Sequence, residues 1–216
     1  CDAGRPAAHG VSSAQPRVAL VDCGAGNLRS VAKALERAQF SVDVTSEPEV
    51  VRRADGVVLP GVGAFANALR VLRAGGLEDA IRETVASGRR PYLGICLGLQ
   101  LLFDEGDEHG VTRGLGLLAG RVERFPDHDV DGRLLRVPHI GWNEVCFRGR
   151  HPMLEHLPAS DHYYFVHSYR PVPRDASGIV GLTQYGGEFA SAVARGSIFA
   201  VQFHPEKSQS AGQRLL

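Results

Sequence analysis

The chain has 216 residues, of which 44% are apolar and 22% are charged, a length and composition typical of a soluble globular protein with one sizeable core. Acidic and basic residues balance at 24 each, so no net charge favours nucleic acid or an anionic membrane as a partner. No apolar run approaches the roughly 18 residues that a membrane-spanning helix needs.

Residues 1–16 show no apolar periodicity and lack the apolar core of a signal peptide. We therefore predict a disordered N-terminal extension at 1–16 and a single domain at 17–216. The domain begins with a predicted strand at 17–22, RVALVD, followed by a helix that Asn27 caps.

A second strand is predicted at 40–45, and Ser46 with Glu49 forms a capping-box pattern for a short helix. The first half of the chain then continues with a strand at 56–61, helices near 64–74 and 77–87, a strand at 91–95, and a helix from Leu97 to Phe103.

The second half is mostly β in pattern, and Arg195-Gly196-Ser197 is predicted to be a hairpin turn within it. In the first half, strands alternate with helices, which is the pattern of a parallel sheet covered by helices on both faces. The predicted fold is therefore α/β, with a mixed, mostly parallel central sheet flanked by helices.

The four cysteines are Cys1, Cys23, Cys96 and Cys146, and none belongs to a CxxC pair. The nine histidines show neither HExxH nor metal-finger spacing, so we expect no metal and no other cofactor. A chain of this size folds without disulfides, and the predicted compartment is the cytoplasm.

One of these cysteines lies in the sequence Gly94-Ile95-Cys96-Leu97-Gly98, at a predicted junction between strand and helix. The nucleophile elbow of hydrolases has this form, with small residues that allow strand and helix to approach closely. A helix N-terminus would stabilise the Cys96 thiolate, and the Leu97 amide would face an oxyanion. The alternative is a buried structural cysteine.

A second glycine-rich turn, Gly61-Val62-Gly63, follows the strand at 56–61 and reaches the same sheet edge. It is either another oxyanion donor or only a tight turn. The sequence Gly24-Ala25-Gly26 resembles a phosphate loop, but Arg29 stands where the dinucleotide pattern needs its third glycine.

His204, Pro205 and Glu206 directly follow an apolar strand at 198–203. Residues two apart in an extended chain point to the same side, so Glu206 can hold one imidazole nitrogen while the other faces Cys96. This is the arrangement of nucleophile, base and orienting carboxylate in a catalytic triad. His139 and His167 are expected to be hydrogen-bonded structural residues.

Several segments resemble the class I glutamine amidotransferases, namely LPGVGAF, GICLGLQLLF and FHPEKS. More narrowly, four segments are similar to the glutaminase subunits of imidazole glycerol phosphate synthases: DCGAGNLRSV, PHIGWNEV, YYFVHSY and FHPEKSQSAG. Together they span residues 22–212, nearly the whole chain, in the family's order.

The resemblance implies a role for each matching residue. Cys96, His204 and Glu206 would form the triad. Leu97, Val62 and Gly63 would stabilise the oxyanion. The residues implied in binding L-glutamine are Gly61, Gln100, His167, Ser168 and Tyr169.

The resemblance also implies a reaction and a partner. Glutamine would be hydrolysed to glutamate and ammonia, and a (β/α)₈-barrel cyclase, joined in a heterodimer, would use the ammonia. Its products would be imidazole glycerol phosphate and an aminoimidazole carboxamide ribotide, in histidine biosynthesis. Asn27, Arg29 and Trp142 could lie at the interface, although Trp142 could instead be a core residue.

Three other readings of these residues stay open. The chain could serve another synthase, such as the pyridoxal phosphate synthase, or act alone as a cysteine hydrolase. It could also be a binding module with an inactive site, although all three triad residues are intact.

Overall fold

The computed structural model describes residues 15–24 and 26–216. Most of the extension predicted at 1–16 lies outside the described residues, and the domain boundary at residue 17 stays a prediction. The carbonyl of Pro16 accepts a hydrogen bond from the Ser41 amide at 3.0 Å, immediately before the first strand.

The described residues form thirteen strands, which alternate with helices only in the first half of the chain. The strands are β1 (Arg17–Val21), β2 (Ser41–Thr45), β3 (Gly56–Gly61), β4 (Tyr92–Cys96), β5 (Phe103–Asp107), β6 (Val111–Arg113), β7 (Leu118–Arg124), β8 (His139–Phe147), β9 (Ser160–His167), β10 (Tyr169–Pro173), β11 (Ile179–Gln184), β12 (Glu188–Arg195) and β13 (Ile198–Val201).

Six α-helices complete the described part of the chain, and none is long and apolar enough to cross a membrane. They are α1 (Leu28–Arg37), α2 (Pro48–Arg53), α3 (Phe65–Ala74), α4 (Leu77–Ala86), α5 (Leu97–Gln100) and α6 (Gln209–Leu215). The predicted strands and helices of the first half occur close to their expected bounds, with α5 as the exception.

The central sheet has nine strands in the order β2-β1-β3-β4-β13-β12-β11-β8-β9. Its first four pairings are parallel and its last four are antiparallel. The sheet is therefore mixed, as predicted, but only half of its pairings are parallel, fewer than the prediction of a mostly parallel sheet implied. The antiparallel half includes the predicted hairpin turn, where Arg195 pairs with Ile198. A second sheet, β10-β7-β5-β6, was not predicted.

Apolar residues cover both faces of the central sheet, as the predicted layering requires. Alternate residues of β1 enter opposite clusters: Ala19 and Val21 pack on one face, and Val18 and Leu20 on the other. The first cluster contains residues of α2, α3, α4 and the second sheet, and the second contains residues of α1 and α6. Helix α3 buries one stripe at helical spacing: Phe65, Ala68, Leu69 and Leu72.

Two local predictions were wrong. The helix expected from Leu97 to Phe103 ends after one turn, and Phe103 instead begins β5. Its apolar run is buried on every side, and such a run carries no periodicity that separates helix from strand. The capping box of Ser46 and Glu49 is also absent, since Glu47 is the N-cap of α2 and makes no side-chain capping bond.

The crossing of β3 and α5 depends on Gly98. A Cβ atom at this residue would lie 1.7 Å from the Leu59 carbonyl oxygen, far inside van der Waals contact. Gly94 is similarly restricted, because its Cβ would lie 2.7 Å from the Gly98 carbonyl oxygen. These glycines therefore allow β3, β4 and α5 to meet at the sheet's carboxyl edge.

We expect Gly98→Ala to lower the free energy of unfolding by more than about 3 kcal/mol, because backbone atoms must move to admit the methyl group. Urea unfolding followed by circular dichroism measures this change. Gly75→Ala is the matched control, since its Cβ would meet the Val71 carbonyl oxygen at an ordinary 3.5 Å. Equal unfolding midpoints for the two variants would contradict the close crossing.

Candidate active site

Cys96 is the last residue of β4, and α5 begins immediately after it. Its φ of 53° and ψ of −104° lie outside the regions that L-residues normally adopt. Four non-glycine residues in the described part of the chain have positive φ, and Cys96 alone among them is buried. Strain of this kind marks a nucleophile elbow, which raises the side chain above the sheet edge.

Neighbouring contacts hold the elbow in place. The Tyr92 hydroxyl donates to the Gly98 carbonyl at 3.0 Å, which ties the start of β4 to α5. Gly61, the residue paired with Cys96 in β3, is closely packed, because a Cβ there would lie 3.1 Å from the Leu97 Cβ. Leu97 and the turn at 61–63 thus lie at the same sheet edge as Cys96.

His204 reaches Cys96 from the neighbouring strand of the sheet. Strand β13 pairs with β4, so the residues that follow the two strands meet at one edge. His204 Nδ1 lies 2.8 Å from a Glu206 carboxylate oxygen, and the two side chains are only 3% and 2% exposed. This contact leaves Nε2 as the nitrogen available to the Cys96 sulfur.

The electrostatics of this group favour an imidazolium. Burial by itself lowers the pKa of His204. The neighbouring Cys96 sulfur and the Glu206 carboxylate outweigh burial and raise that pKa to about 10. His204 is therefore protonated at neutral pH and can hold a negative sulfur beside it.

The backbone of His204 is fixed by β9. Its amide donates to the Tyr164 carbonyl at 2.9 Å, and the Tyr164 amide donates to the Ser208 hydroxyl oxygen at 3.0 Å. The same hydroxyl donates to the His204 carbonyl at 2.6 Å. Strand β9 thus hydrogen-bonds directly to the backbone that carries the imidazole.

A cleft of about 340 Å³ opens over Cys96, a volume that suits a small metabolite. It brings together most of the predicted site: Val62, Gly63, Cys96, Leu97, Gln100, His167, Ser168 and Tyr169. Gly63 has a φ of 102°, which favours glycine at this wall of the cleft. Gly61 lines a small adjoining pocket with His204 and Glu206.

Another cavity, of about 290 Å³, lies at the opposite, amino ends of the parallel strands. Its walls are mainly apolar side chains, among them Val57, Tyr92 and Phe199. Its walls do not combine a nucleophile, a base and a carboxylate, so the cleft over Cys96 is the better candidate for the active site.

Gln100 is buried one helical turn beyond Cys96. Its Nε2 donates to the Tyr169 carbonyl at 3.0 Å and to Gln202 Oε1 at 3.1 Å. Gln202 in turn places its Nε2 3.5 Å from the Cys96 sulfur. Two buried carboxamides therefore connect a wall of the cleft to the thiol.

His139 and His167 are hydrogen-bonded, as predicted. His139 Nδ1 lies 3.0 Å from His167 Nε2, and His167 Nδ1 lies 2.8 Å from the Tyr169 carbonyl oxygen. Burial lowers the pKa of His139 to about 4 and that of His167 to about 3, so both rings are neutral at neutral pH.

The three residues suggested for a partner interface are all at the surface. Asn27 and Arg29 are exposed at the start of α1, and Asn27 lines the small pocket next to Glu206. Trp142 is 48% exposed on β8, which excludes a place in the core. It packs edge-on against Tyr164, the residue whose carbonyl holds the His204 amide.

Two residues of the site were missed in the sequence. Gln202 lies two positions before His204, and the alternation that placed Glu206 beside His204 could have placed Gln202 there too. Glu108 lines the cleft from the loop after β5, and its carboxylate accepts the Phe65 amide at 2.6 Å. No local sequence pattern identifies Glu108 as a site residue, because its position depends on the second sheet, which was not predicted.

Within residues 15–24 and 26–216, no group of histidine, cysteine or carboxylate side chains has the geometry of a metal site. Cys23 and Cys96 are buried thiols and Cys146 is an exposed one.

Comparison with known proteins places this geometry in a family. Residues 19–216 match the family model described as glutamine amidotransferase class-I. An imidazole glycerol phosphate synthase subunit HisH from Aromatoleum aromaticum is 51% identical, with 92% of this chain and 95% of that protein covered. The protein of the same name from Syntrophotalea carbinolica is 49% identical, with 92% and 97% covered.

Solved structures agree on the fold. A crystal structure of a glutamine amidotransferase aligns with a TM-score of 0.68 at 24% identity, covering 91% of this chain and 94% of that one. The structure of PurLQS from Thermotoga maritima gives 0.69 at 17% identity, with 93% and 95% covered. The chain is therefore a glutamine amidotransferase that belongs to the class I family, in its group of HisH subunits of imidazole glycerol phosphate synthase.

Proposed function

We propose that the protein hydrolyses the side-chain amide of glutamine, with Cys96 as nucleophile, His204 as general acid and base, and Glu206 as the residue that orients His204. One observation carries this proposal. A strained cysteine at a strand-to-helix junction lines a cleft that suits a small metabolite, and it interacts with a buried imidazole–carboxylate pair.

The first half of the reaction forms a thioester. The Cys96 thiolate attacks the side-chain carbonyl carbon of glutamine, and the carbonyl electrons move to oxygen. His204 then gives its Nε2 proton to the amide nitrogen, the carbon–nitrogen bond breaks, and ammonia leaves.

The second half regenerates the enzyme. Neutral His204 takes a proton from water, which attacks the thioester carbonyl. Collapse of the second tetrahedral intermediate expels the thiolate and releases glutamate, with His204 protonated again. Glu206 keeps its hydrogen bond to Nδ1 throughout, so the other nitrogen remains directed at the reacting atoms.

Residues in the walls of the cleft would contact the oxyanion and the substrate's side-chain amide. Leu97, Val62 and Gly63 line the cleft together with Cys96, and their amides are the proposed donors to the oxyanion, each typically contributing about 100- to 1,000-fold in rate. Since both Nε2 hydrogens of Gln100 have acceptors, its Oε1 would accept from the substrate's amide.

The α-amino and α-carboxyl groups of glutamine need partners as well. Glu108 brings a carboxylate to the cleft, where it would pair with the substrate's α-ammonium group. The backbone of His167, Ser168 and Tyr169 would contact this amino-acid end, and Gly61 would keep the adjoining wall narrow.

The ammonia needs a protected path, because most ammonia in neutral water is protonated and loses its nucleophilicity. We infer that the chain forms a heterodimer with a (β/α)₈-barrel cyclase, which turns the ammonia into imidazole glycerol phosphate and aminoimidazole carboxamide ribotide in histidine biosynthesis. The relatives' name, subunit of imidazole glycerol phosphate synthase, supports this partner. We place the complex in the cytoplasm, where thiols stay reduced.

The outward face of β8 is the proposed docking surface. Exposed residues alternate along the strand with buried or partly buried ones, which leaves Ile140 59% and Trp142 48% exposed. The cross-strand neighbours of these two residues are Val166, which lines the cleft, and Tyr164, over whose ring the Lys207 ammonium lies at 5.7 Å. Asn27 and Arg29 would extend this surface.

We expect glutamate formation from glutamine to rise by at least about tenfold when the cyclase and its ribonucleotide substrate are added. We also expect Trp142→Ala to weaken cyclase binding by about 30-fold or more. The reason is that an exposed tryptophan beside the cleft loses a large desolvated contact when it is truncated. A coupled glutamate assay and titration calorimetry measure the two effects.

Val44→Ala is the matched control, since Val44 is 52% exposed on β2, at the opposite edge of the sheet. Rapid hydrolysis that ignores the cyclase would contradict the proposed partner. It would favour a stand-alone cysteine hydrolase, whereas activation by a pyridoxal phosphate synthase subunit would favour that other complex.

A further inference from the structure

Gln202 is completely buried, yet its side-chain amide nitrogen lies 3.5 Å from the Cys96 sulfur. A buried carboxamide is costly unless its polar atoms are paired, so this contact is a built feature of the site. The triad mechanism of Cys96, His204 and Glu206 leaves Gln202 without a role.

The orientation of the Gln202 amide is set by its neighbour. Gln100 Nε2 has two hydrogens, and they meet two acceptors, the Tyr169 carbonyl oxygen and Gln202 Oε1. If the Gln202 amide were turned over, two NH₂ groups would face each other. Gln202 must therefore accept from Gln100 and present its N–H to the sulfur.

The Tyr169 carbonyl is itself held by a second chain of buried groups. It accepts from His167 Nδ1, and His167 Nε2 accepts from His139 Nδ1. His139 Nε2, 3.2 Å from Asn143 Nδ2, accepts from that amide, which also donates to the Gln184 carbonyl. Each ring is neutral and has one donor and one acceptor, so every bond in the chain points one way.

We propose that Gln202 is a catalytic hydrogen-bond donor to the Cys96 sulfur, locked in the donating orientation by Gln100, whose other acceptor is the Tyr169 carbonyl that the pair His139–His167 holds. The donated N–H stabilises the thiolate before attack and again when the thioester breaks. Because this chain begins at Asn143, next to Trp142 on β8, the sulfur's donor is anchored to the strand that carries the proposed docking surface.

The inference deepens the proposed function, since Cys96 is the nucleophile there, but its test needs neither glutamine nor the cyclase. The rate at which iodoacetamide alkylates Cys96 is measured from pH 5 to 10, with peptide mass spectrometry separating Cys96 from the other cysteines. In Gln202→Met the midpoint of this profile should move about one pH unit higher, a roughly tenfold loss of reactivity below the midpoint.

Gln202→Glu separates this role from a packing role. Glutamate is the closer match in shape, so a purely structural Gln202 predicts a milder effect than that of methionine. If Gln202 is the donor, the reverse order is expected, because the carboxylate of Gln202→Glu not only lacks the N–H but also repels the thiolate. The alkylation midpoint of Gln202→Glu should therefore move farther than that of Gln202→Met.

Thr183→Val is the control, because it removes another buried hydrogen bond of the same sheet, from Thr183 to Ser191 at 2.8 Å, without touching Cys96. Its alkylation profile should match the wild type. Wild-type midpoints in both Gln202 variants, or a smaller shift for glutamate than for methionine, would overturn the inference and leave the proposed glutaminase chemistry untouched.

Discussion

Cys96→Ala should reduce glutaminase turnover by about 10⁴-fold or more, because no other group can form the thioester. Glutamine binding should survive, since its proposed contacts come from Gln100, Glu108 and the backbone at 167–169. Glutamate release is assayed with the liganded cyclase present, and glutamine affinity is measured by calorimetry.

Val44→Ala is again the control, because Val44 is 52% exposed on β2, at the edge of the sheet opposite the proposed docking surface. Its turnover should equal that of the wild type. Undiminished glutamate production by Cys96→Ala would remove Cys96 as nucleophile and with it the assigned triad.

Much of the site could be predicted because its signals are local. Gly94 and Gly98 lie two residues on either side of Cys96, and His204 and Glu206 are two residues apart on one extended segment. The α/β alternation of the first half is equally local, since each strand and helix carries its own apolar period.

What could not be predicted depends on long-range pairing. Strand β13 lies against β4 across about 100 residues of sequence, and no periodicity reports that choice. The second sheet was missed for the same reason, and Glu108 with it. The end of α5 was misjudged because residues 101–103 are buried on all sides and their pattern fits helix and strand equally.

The proposed docking surface and Cys96 are joined by two sets of bonds in the described residues. One runs through the backbone of β9, where Tyr164 binds the His204 amide, and the other ends at Gln202. Both begin beside Trp142, from its cross-strand neighbour Tyr164 and from the next residue, Asn143. A partner that shifts this strand pair would therefore act on the base and on the sulfur's donor together.

Glu206→Gln should lower glutaminase turnover by about 10³- to 10⁴-fold, although the side chain keeps its shape. An amide can donate to His204 Nδ1, and the ring's proton then sits on Nε2, where it prevents the neutral imidazole from accepting a proton from water. Steady-state assays with the liganded cyclase measure this loss, and Glu188→Gln, an exposed carboxylate on β12, should leave turnover unchanged.

The same substitution has a second signature, in stability against pH. The folded pKa of His204 is raised to about 10, above its unfolded value of about 6.5, so protonation of His204 contributes stability that is complete below the unfolded value and is lost as pH rises through the folded one. Removing the Glu206 charge lowers the folded pKa, because Cys96 alone then opposes the effect of burial. The stability of Glu206→Gln should consequently begin to fall at lower pH than that of the wild type, as urea unfolding between pH 6 and 10 would measure. Parallel stability curves for the two proteins would mean that Glu206 does not hold the imidazolium, and its orienting role would have to be given up.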